Sequence, residues 1–219
     1  YEIVKYSTMR ARDFTTEARR NPTQNPKQDQ GTIRTLQLLQ RVGTDHIGVS
    51  YTQIPKLGIN PQSDWHGTPL GIYFYPADYY YSVRGSVPSF GFAKYIQVFR
   101  YNTDRILDLD TYTPEQFVQD ANTLGIQAEP DNNPGRQIWN LIKSVASERR
   151  EQRYTGNSTH EKENRRKNTL WNHVLRTLNY DVVLDTQGII SHKEKTQGLI
   201  TNPKVIELIE TVSNQYGNQ

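Results

Sequence analysis

The sequence contains no cysteine and a single methionine among its 219 residues. Without cysteine there is no disulfide framework, no thiolate nucleophile and no zinc or iron–sulfur site built on cysteine ligands. No apolar run approaches the roughly 20 residues of a membrane-spanning helix, and no secretory signal pattern is visible. The pattern therefore predicts a protein without a membrane segment.

Aliphatic residues are also scarce. Hydrophobic residues make up 34% of the chain and the mean hydropathy is −0.80, against an apolar share of about 45–50% in ordinary globular domains. The core must therefore be small, and the 14 tyrosines must supply part of it through their rings. The net charge of +3 permits an anionic ligand but does not require nucleic acid.

The common nucleotide and hydrolase motifs are missing. There is no GxGxxG and no glycine-rich loop ending in Gly-Lys-Ser/Thr, which argues against dinucleotide-binding and P-loop folds. There is no HExxH and no serine nucleophile elbow. The five histidines lack the spacing of metal ligands, so no metal site is predicted.

Strands and helices are both expected, without regular alternation, which favours an α+β fold over a doubly wound parallel sheet. Residues 1–219 are predicted to form one domain, with a polar insertion near 20–31 and a charged insertion near 148–168. The predicted strands are Tyr1–Tyr6, His46–Thr52, Gly71–Tyr75, Tyr95–Tyr101, Arg105–Leu109, Asp181–Leu184 and Leu199–Thr201. The predicted helices are Thr32–Val42, Pro114–Leu124, Gly135–Arg150, Thr169–Leu178 and a last helix after Asn202-Pro203 carrying Ile206, Ile209 and Val212.

Twelve aromatic residues, more than half of the total, lie between Trp65 and Tyr101. A β-rich core would account for about half of them. Tyr73, Tyr75 and the run Tyr79–Tyr81 are too dense for all of these rings to face one core. Some are expected to line a cleft, where they would stack on a planar ligand such as a nucleotide or nicotinamide.

One ordered set of segments resembles the front half of an ADP-ribosyltransferase domain of the diphtheria-toxin and poly(ADP-ribose) polymerase branch. These segments are Val49–Thr52, Leu57–Ile59 and Pro69–Phe74 (PLGIYF), followed by Ala77 and Tyr80. In that family a Gly-Ile-Tyr-Phe strand carries a tyrosine that stacks on nicotinamide, and the next helix carries a second tyrosine. The resemblance implies that Tyr73 is the strand tyrosine and Tyr80 the helix tyrosine, and that their rings would enclose the nicotinamide.

The back half is similar to the end of phage-associated and toxin-type transferase domains. Tyr180–Val183 and Gly188–Pro203 follow the order of a Tyr-Asp strand, an acidic strand and an Asn-Pro turn. In the family an acidic residue at the start of the second strand bonds a ribose hydroxyl of NAD. By register with the turn, Gln197 stands at that position, and Glu194 lies three residues upstream.

The resemblance implies split antiparallel β-sheets with flanking helices, NAD as cofactor and mono-ADP-ribosylation of a host protein or nucleic acid. The implied compartment is the host cytoplasm or the virion. Glu194 would be the carboxylate that stabilises positive charge on the ribose, and Gln197 would position the ribose or the acceptor. His46, Ser50, Tyr51, Thr52, Tyr73 and Tyr80 are the implied cofactor-binding residues.

Two departures from the family leave other functions open. Ser50-Tyr51-Thr52 stands where the family has a His-Gly-Thr/Ser-like triplet, and Gln197 stands in the register of the family's glutamate. His66-Gly67-Thr68 has the letters of the triplet but begins only seven residues before Tyr73, too few for the helix between the two strands. The first alternative is a catalytically degenerate binding or virion-associated module on the same fold, with the basic tract of 149–167 as its contact surface. The second is a small RNase toxin that uses His192 in acid–base cleavage. The oligomeric state is not predicted.

Overall fold

The computed structural model describes residues 26–56, 69–83, 93–153, 160–190 and 197–214. Five α-helices and seven β-strands lie within these ranges. The helices are α1 (Pro26–Val42), α2 (Ala77–Val83), α3 (Pro114–Thr123), α4 (Pro134–Arg153) and α5 (His160–Thr177). The strands are β1 (Ile47–Thr52), β2 (Ile72–Pro76), β3 (Tyr95–Tyr101), β4 (Ile106–Asp108), β5 (Val182–Asp185), β6 (Gln197–Ile200) and β7 (Ile206–Ser213).

The strands form one seven-stranded sheet in the order β4-β5-β6-β2-β1-β3-β7. Five neighbouring pairs are antiparallel, and β4 pairs with β5 in parallel. The predicted α+β class is confirmed, and six of the predicted strands occur within one or two residues of their expected bounds. The predicted strand Tyr1–Tyr6 lies outside the described residues.

The sequence signals at the ends of α3 behave as predicted. Thr113 accepts the backbone N–H of Gln116 at 3.3 Å, and the Gln116 side chain accepts the N–H of Thr113 at 2.9 Å. This reciprocal capping box satisfies two backbone donors that the first helical turn leaves without partners. Gly125 follows the helix with φ of 77°, a conformation that favours glycine at a helix end.

The prediction of a last helix after Asn202-Pro203 is wrong. These residues begin only the 3₁₀ turn Pro203–Val205, and the chain continues as strand β7 along β3. A β-bulge shifts the β7 register opposite Val98 and Phe99, which changes the alternation of inward-facing residues along the strand. Apolar residues spaced by three, as at Ile206 and Ile209, then imitate a helical pattern.

Three helices are longer than predicted. Helix α1 begins at Pro26, inside the predicted polar insertion, because proline is well tolerated in a first helical turn that needs no internal N–H donor. Helix α4 continues to Arg153 and α5 begins at His160. Most of the predicted charged insertion therefore continues these two helices.

The core has three clusters of buried side chains. The helical core packs α3, α4 and α5 against β4–β6, and the α1 core packs α1 and α2 against β1 and β3. The Phe74 core occupies the opposite face of the strands. Its buried members are Ile72, Phe74, Phe99, Tyr101, Val182 and Ile200.

Phe74 sits between two glycines on its neighbouring strands. A Cβ atom at Gly48 of β1 would lie 2.6 Å from the Phe74 ring, and one at Gly198 of β6 would lie 2.2 Å from it. Both glycines therefore leave the space that the ring fills, and they fix how β2 packs between β1 and β6. In the part of the chain that the structure describes, no helix has the length and apolarity needed to cross a membrane.

Candidate functional site

Strands β1 and β2 stay paired over only two residues. Gly48 pairs with Pro76 and Val49 with Tyr75, whereas β1 pairs with β3 along all six of its residues. At the next position, the Ser50 hydroxyl donates a hydrogen bond to the Tyr73 carbonyl at 2.9 Å. No backbone ladder joins residues 50–52 to residues 72–74 within these described strands. We call this opening in the sheet the β1–β2 gap.

Tyr73 lies on the β2 side of this gap. Its half-buried ring packs against the helical core, and its hydroxyl donates to the Pro69 carbonyl at 2.9 Å. The residue thus has a ring held at one end by packing and at the other by a hydrogen bond. The orientation of the ring is therefore fixed, and its exposed part is the surface that a flat ligand could contact.

Gln197 lies on the same face as Tyr73, on the neighbouring strand β6. Tyr73 is paired with Leu199, and residues two apart on a strand share a face, so Gln197 is a diagonal neighbour of Tyr73 at roughly 7–8 Å between Cα atoms. The Gln197 side chain is 5% exposed. Its Nε2 has no hydrogen-bond partner among the described residues. A buried amide donor without a partner costs about 1–3 kcal/mol, and a ligand oxygen would remove that cost.

Asp185 is a neighbour of Gln197 that the sequence analysis did not identify. The two residues are register partners on β5 and β6, and Asp185 is fully buried. Its carboxylate accepts the backbone N–H groups of Gln187 at 3.1 Å and Ile190 at 2.6 Å. Burial raises the pKa of Asp185, and the nearby Asp110 carboxylate adds to the increase. One signal in the sequence could have identified it: Asp185 ends the apolar run Val182–Leu184, and strand alternation places it on the same inward face as Val183.

Tyr51 and Tyr80 contact each other through their hydroxyls, which are 2.6 Å apart, and their rings lie nearly parallel with centroids 6.4 Å apart. Burial raises the pKa of Tyr51, and the neighbouring Tyr80 raises it further. Tyr80 is 0% exposed, so its ring packs α2 onto β1 and offers no open face. Tyr79, one residue earlier, is 43% exposed.

The other predicted residues of β1 divide between the two faces. Ser50 and Thr52 alternate with Tyr51 and therefore point to the opposite face of the sheet. His46 precedes β1, has φ of 53° and stacks on Tyr101 with ring centroids 5.0 Å apart. It lies about five residues, or roughly 16 Å, along the strand from the level of Tyr73. The structure therefore brings Tyr73 and Gln197 together but leaves His46 at the far end.

The loop after β1 is held by a second buried glutamine that the sequence analysis missed. Gln97 on β3 is the register partner of Ser50, and its Nε2 donates to the carbonyls of Ile54 at 3.4 Å and Pro55 at 3.1 Å. These bonds hold residues 54 and 55 against β3, on the side of β1 away from β2. Its position inside the largely apolar strand Tyr95–Tyr101 could have identified it, because a polar side chain in a buried strand needs a hydrogen-bond partner.

Several predicted residues cannot be placed. Glu194, His66 and His192 lie outside the described residues, as does the segment Leu57–Ile59. Within the described ranges no three His, Cys, Asp or Glu side chains are grouped so that they could hold a metal ion.

The described part of the site can thus offer an aromatic surface at Tyr73 and a buried amide donor at Gln197. Asp185 is the carboxylate opposite Gln197, and its oxygens already accept two backbone N–H groups. An arrangement of this kind suits a ligand that combines a flat ring with hydroxyl or carbonyl oxygens. No protein-family model, curated protein or solved structure matches the chain.

Proposed function

We propose that the chain binds NAD at the β1–β2 gap and transfers ADP-ribose to a protein or nucleic-acid acceptor. The observation that carries the proposal is the placement of Tyr73 and Gln197 on one face of neighbouring strands, with Tyr73 at the point where the sheet opens. The two residues come from segments 124 positions apart in the sequence. The resemblance implies that Tyr73 binds the cofactor and that Gln197 positions the ribose or the acceptor, and the proximity of the two residues supports both roles.

The chemistry requires cleavage of the bond between C1′ of the ribose and the nicotinamide nitrogen. Nicotinamide leaves with the bonding electron pair as a neutral ring, and positive charge develops on the ribose. The acceptor nucleophile then bonds to C1′ and releases its proton. An anionic group near the ribose stabilises this charge, as in glycoside cleavage. Glu194 is the proposed carboxylate.

Gln197 would act in binding rather than in charge stabilisation. Its buried Nε2 is a donor, and a ribose hydroxyl oxygen is a matching acceptor. Tyr73 would stack on the nicotinamide ring and keep water from one side of the scissile bond. The neutral glutamine is compatible with the fully buried carboxylate of Asp185 opposite it.

The direct test is release of nicotinamide from NAD, followed by chromatography, together with transfer of labelled ADP-ribose to added protein or RNA. We expect Tyr73→Ala and Glu194→Ala to lose release and transfer. Tyr180→Ala is the matched control, because Tyr180 is a partly buried tyrosine that bonds Asp120 away from the gap. Unchanged melting temperature of the wild type at millimolar NAD, with no release and no transfer, would reject the proposal.

A catalytically degenerate module is the second candidate, and one observation favours it. Tyr80, the proposed partner of Tyr73 in enclosing the nicotinamide, is completely buried against Tyr51. A module of this kind would bind nucleic acid or a partner chain without binding NAD. Salt-dependent binding to RNA or DNA by a chain that NAD does not stabilise would identify it.

A further inference from the structure

The turn that leads into β2 is held from two directions. From helix α5, the Asn172 Nδ2 donates to the Leu70 carbonyl at 2.7 Å. From β2 itself, the Tyr73 hydroxyl donates to the Pro69 carbonyl at 2.9 Å. The two accepting carbonyls belong to consecutive residues. A displacement of this turn would therefore move the anchor of the Tyr73 ring.

The turn is also fitted closely against β6. A Cβ atom at Gly71 would lie 2.3 Å from a Leu199 methyl group and 2.5 Å from the Ile200 carbonyl oxygen. Real Cβ atoms do not approach other atoms so closely, so only glycine fits there. The backbone between Leu70 and Tyr73 consequently has little room to absorb a shift at Leu70.

Asn172 is a costly residue at its position. It is 6% exposed and lies on α5 next to Trp171 of the helical core. Its Oδ1 has no hydrogen-bond partner among the described residues. Leucine at this position would remove the unpaired Oδ1 but would also leave the Leu70 carbonyl without its donor, which is unfavourable. The two effects on stability oppose each other, so the hydrogen bond to Leu70 is the feature of Asn172 that leucine cannot replace.

We propose that Asn172 is a positioning residue that fixes the Leu70 carbonyl and, through the Pro69–Tyr73 hydrogen bond, the orientation of the Tyr73 ring. The effect of Asn172 on NAD binding rests on the proposed function, whereas its effect on the orientation of the Tyr73 ring does not. A residue of helix α5 thereby sets the geometry of the β1–β2 gap without touching the ligand.

The first experiment is independent of NAD. Tetranitromethane nitrates accessible tyrosines, and fragmentation mass spectrometry assigns the nitrated ring among the neighbouring tyrosines. We expect Asn172→Leu to raise the nitration rate of Tyr73 several-fold. Asn214→Leu is the matched control, because the buried Asn214 also donates its Nδ2 to a backbone carbonyl, that of Ala93 at 2.8 Å. Equal nitration of Tyr73 in wild type and Asn172→Leu would overturn the proposal, and Asn172→Ala serves as the test if the leucine variant does not fold.

The second experiment separates positioning from stability. We expect Asn172→Leu to melt within a few degrees of wild type, because removal of the unpaired Oδ1 offsets part of the lost hydrogen bond. Its KM for NAD should rise about tenfold, equivalent to about 1.4 kcal/mol, with little change in kcat. In a Tyr73→Phe background, where the anchoring hydroxyl is gone, the same substitution should change KM less than twofold. Additive effects on KM would contradict the proposed coupling. If the wild type neither binds nor cleaves NAD, the proposed function fails, and the nitration rates still decide the role of Asn172.

Discussion

A glutamate at position 197 would restore the residue type that the resembled family carries, yet the structure predicts that Gln197→Glu destabilises this chain. The new carboxylate would lie opposite the fully buried Asp185, its register partner on β5. Cross-strand partners have Cβ atoms about 5 Å apart. Burial already raises the pKa of Asp185, so a second anion is poorly tolerated there.

The repulsion sets the size of the effect. Two unit charges roughly 6 Å apart, at an effective dielectric constant of about 20, repel by about 3 kcal/mol. Protonation of one carboxylate limits the loss, so we expect the free energy of unfolding to fall by about 2–3 kcal/mol near neutral pH. For a chain of this length, such a loss corresponds to a melting temperature lower by about 5–10 °C.

The pH dependence provides the control for the mechanism. The introduced acid has a folded-state pKa above its unfolded value of about 4.3, so it binds more protons in the folded state between those two values. The destabilisation should therefore grow as pH rises through this window and disappear below about pH 4. Thermal melts of wild type, Gln197→Glu and Gln197→Met across that range measure it. The methionine variant should match or exceed wild type, because it removes the buried donor that has no partner. A glutamate variant as stable as wild type at neutral pH, or a methionine variant equally destabilised, would refute the reasoning.

Three further substitutions test the fold. Gly198→Ala places a methyl group 2.2 Å from the Phe74 ring and should lower the free energy of unfolding by about 2–3 kcal/mol in chemical denaturation. The loss should be smaller in a Phe74→Leu background, where the ring is absent. Strictly additive losses would contradict the packing argument. Asp181→Ala removes the ion pair with Arg105 and two further hydrogen bonds. Because the Arg105 side chain is 46% exposed, we expect a loss of about 2–3 kcal/mol. Asp181→Asn should lose less because it keeps an oxygen acceptor, and a loss equal to that of Asp181→Ala would show that the hydrogen bonds contribute nothing beyond the charge. Thr113→Ala removes the α3 cap and should cost about 1 kcal/mol, or a melting temperature lower by about 2–4 °C; an unchanged melt would argue against the capping box.

The regular elements of the chain were largely readable in the sequence. Alternation and β-branched or aromatic content predicted β3 at its observed bounds, Tyr95–Tyr101. Thr113, Pro114 and Gly125 marked the ends of α3 because capping and turn chemistry act within a few residues. The same local rules failed at β7, where a bulge against β3 altered the spacing of inward residues. A bulge is a property of two paired strands, so neither strand alone reveals it.

The candidate site was only partly readable. Tyr73 and Gln197 were identified through a resemblance, but their shared face depends on the pairing of β2 with β6. Asp185 and Asn172 gave weak signals, since each is one polar residue beside apolar neighbours. Their importance comes from partners distant in the sequence, such as the Leu70 carbonyl that Asn172 holds across 102 positions.

The sequence by itself determined the α+β class, most strand and helix positions, the need for tyrosine in the core and the absence of cysteine chemistry. These follow from composition and from periodicities of two and 3.6 residues, which are local properties of the chain. Only the tertiary structure decided that β1 and β2 part after Val49, that Tyr80 is buried against Tyr51, and that Gln197 faces Asp185. Strand order and register bring together residues far apart in sequence, and the burial of each polar group depends on that arrangement.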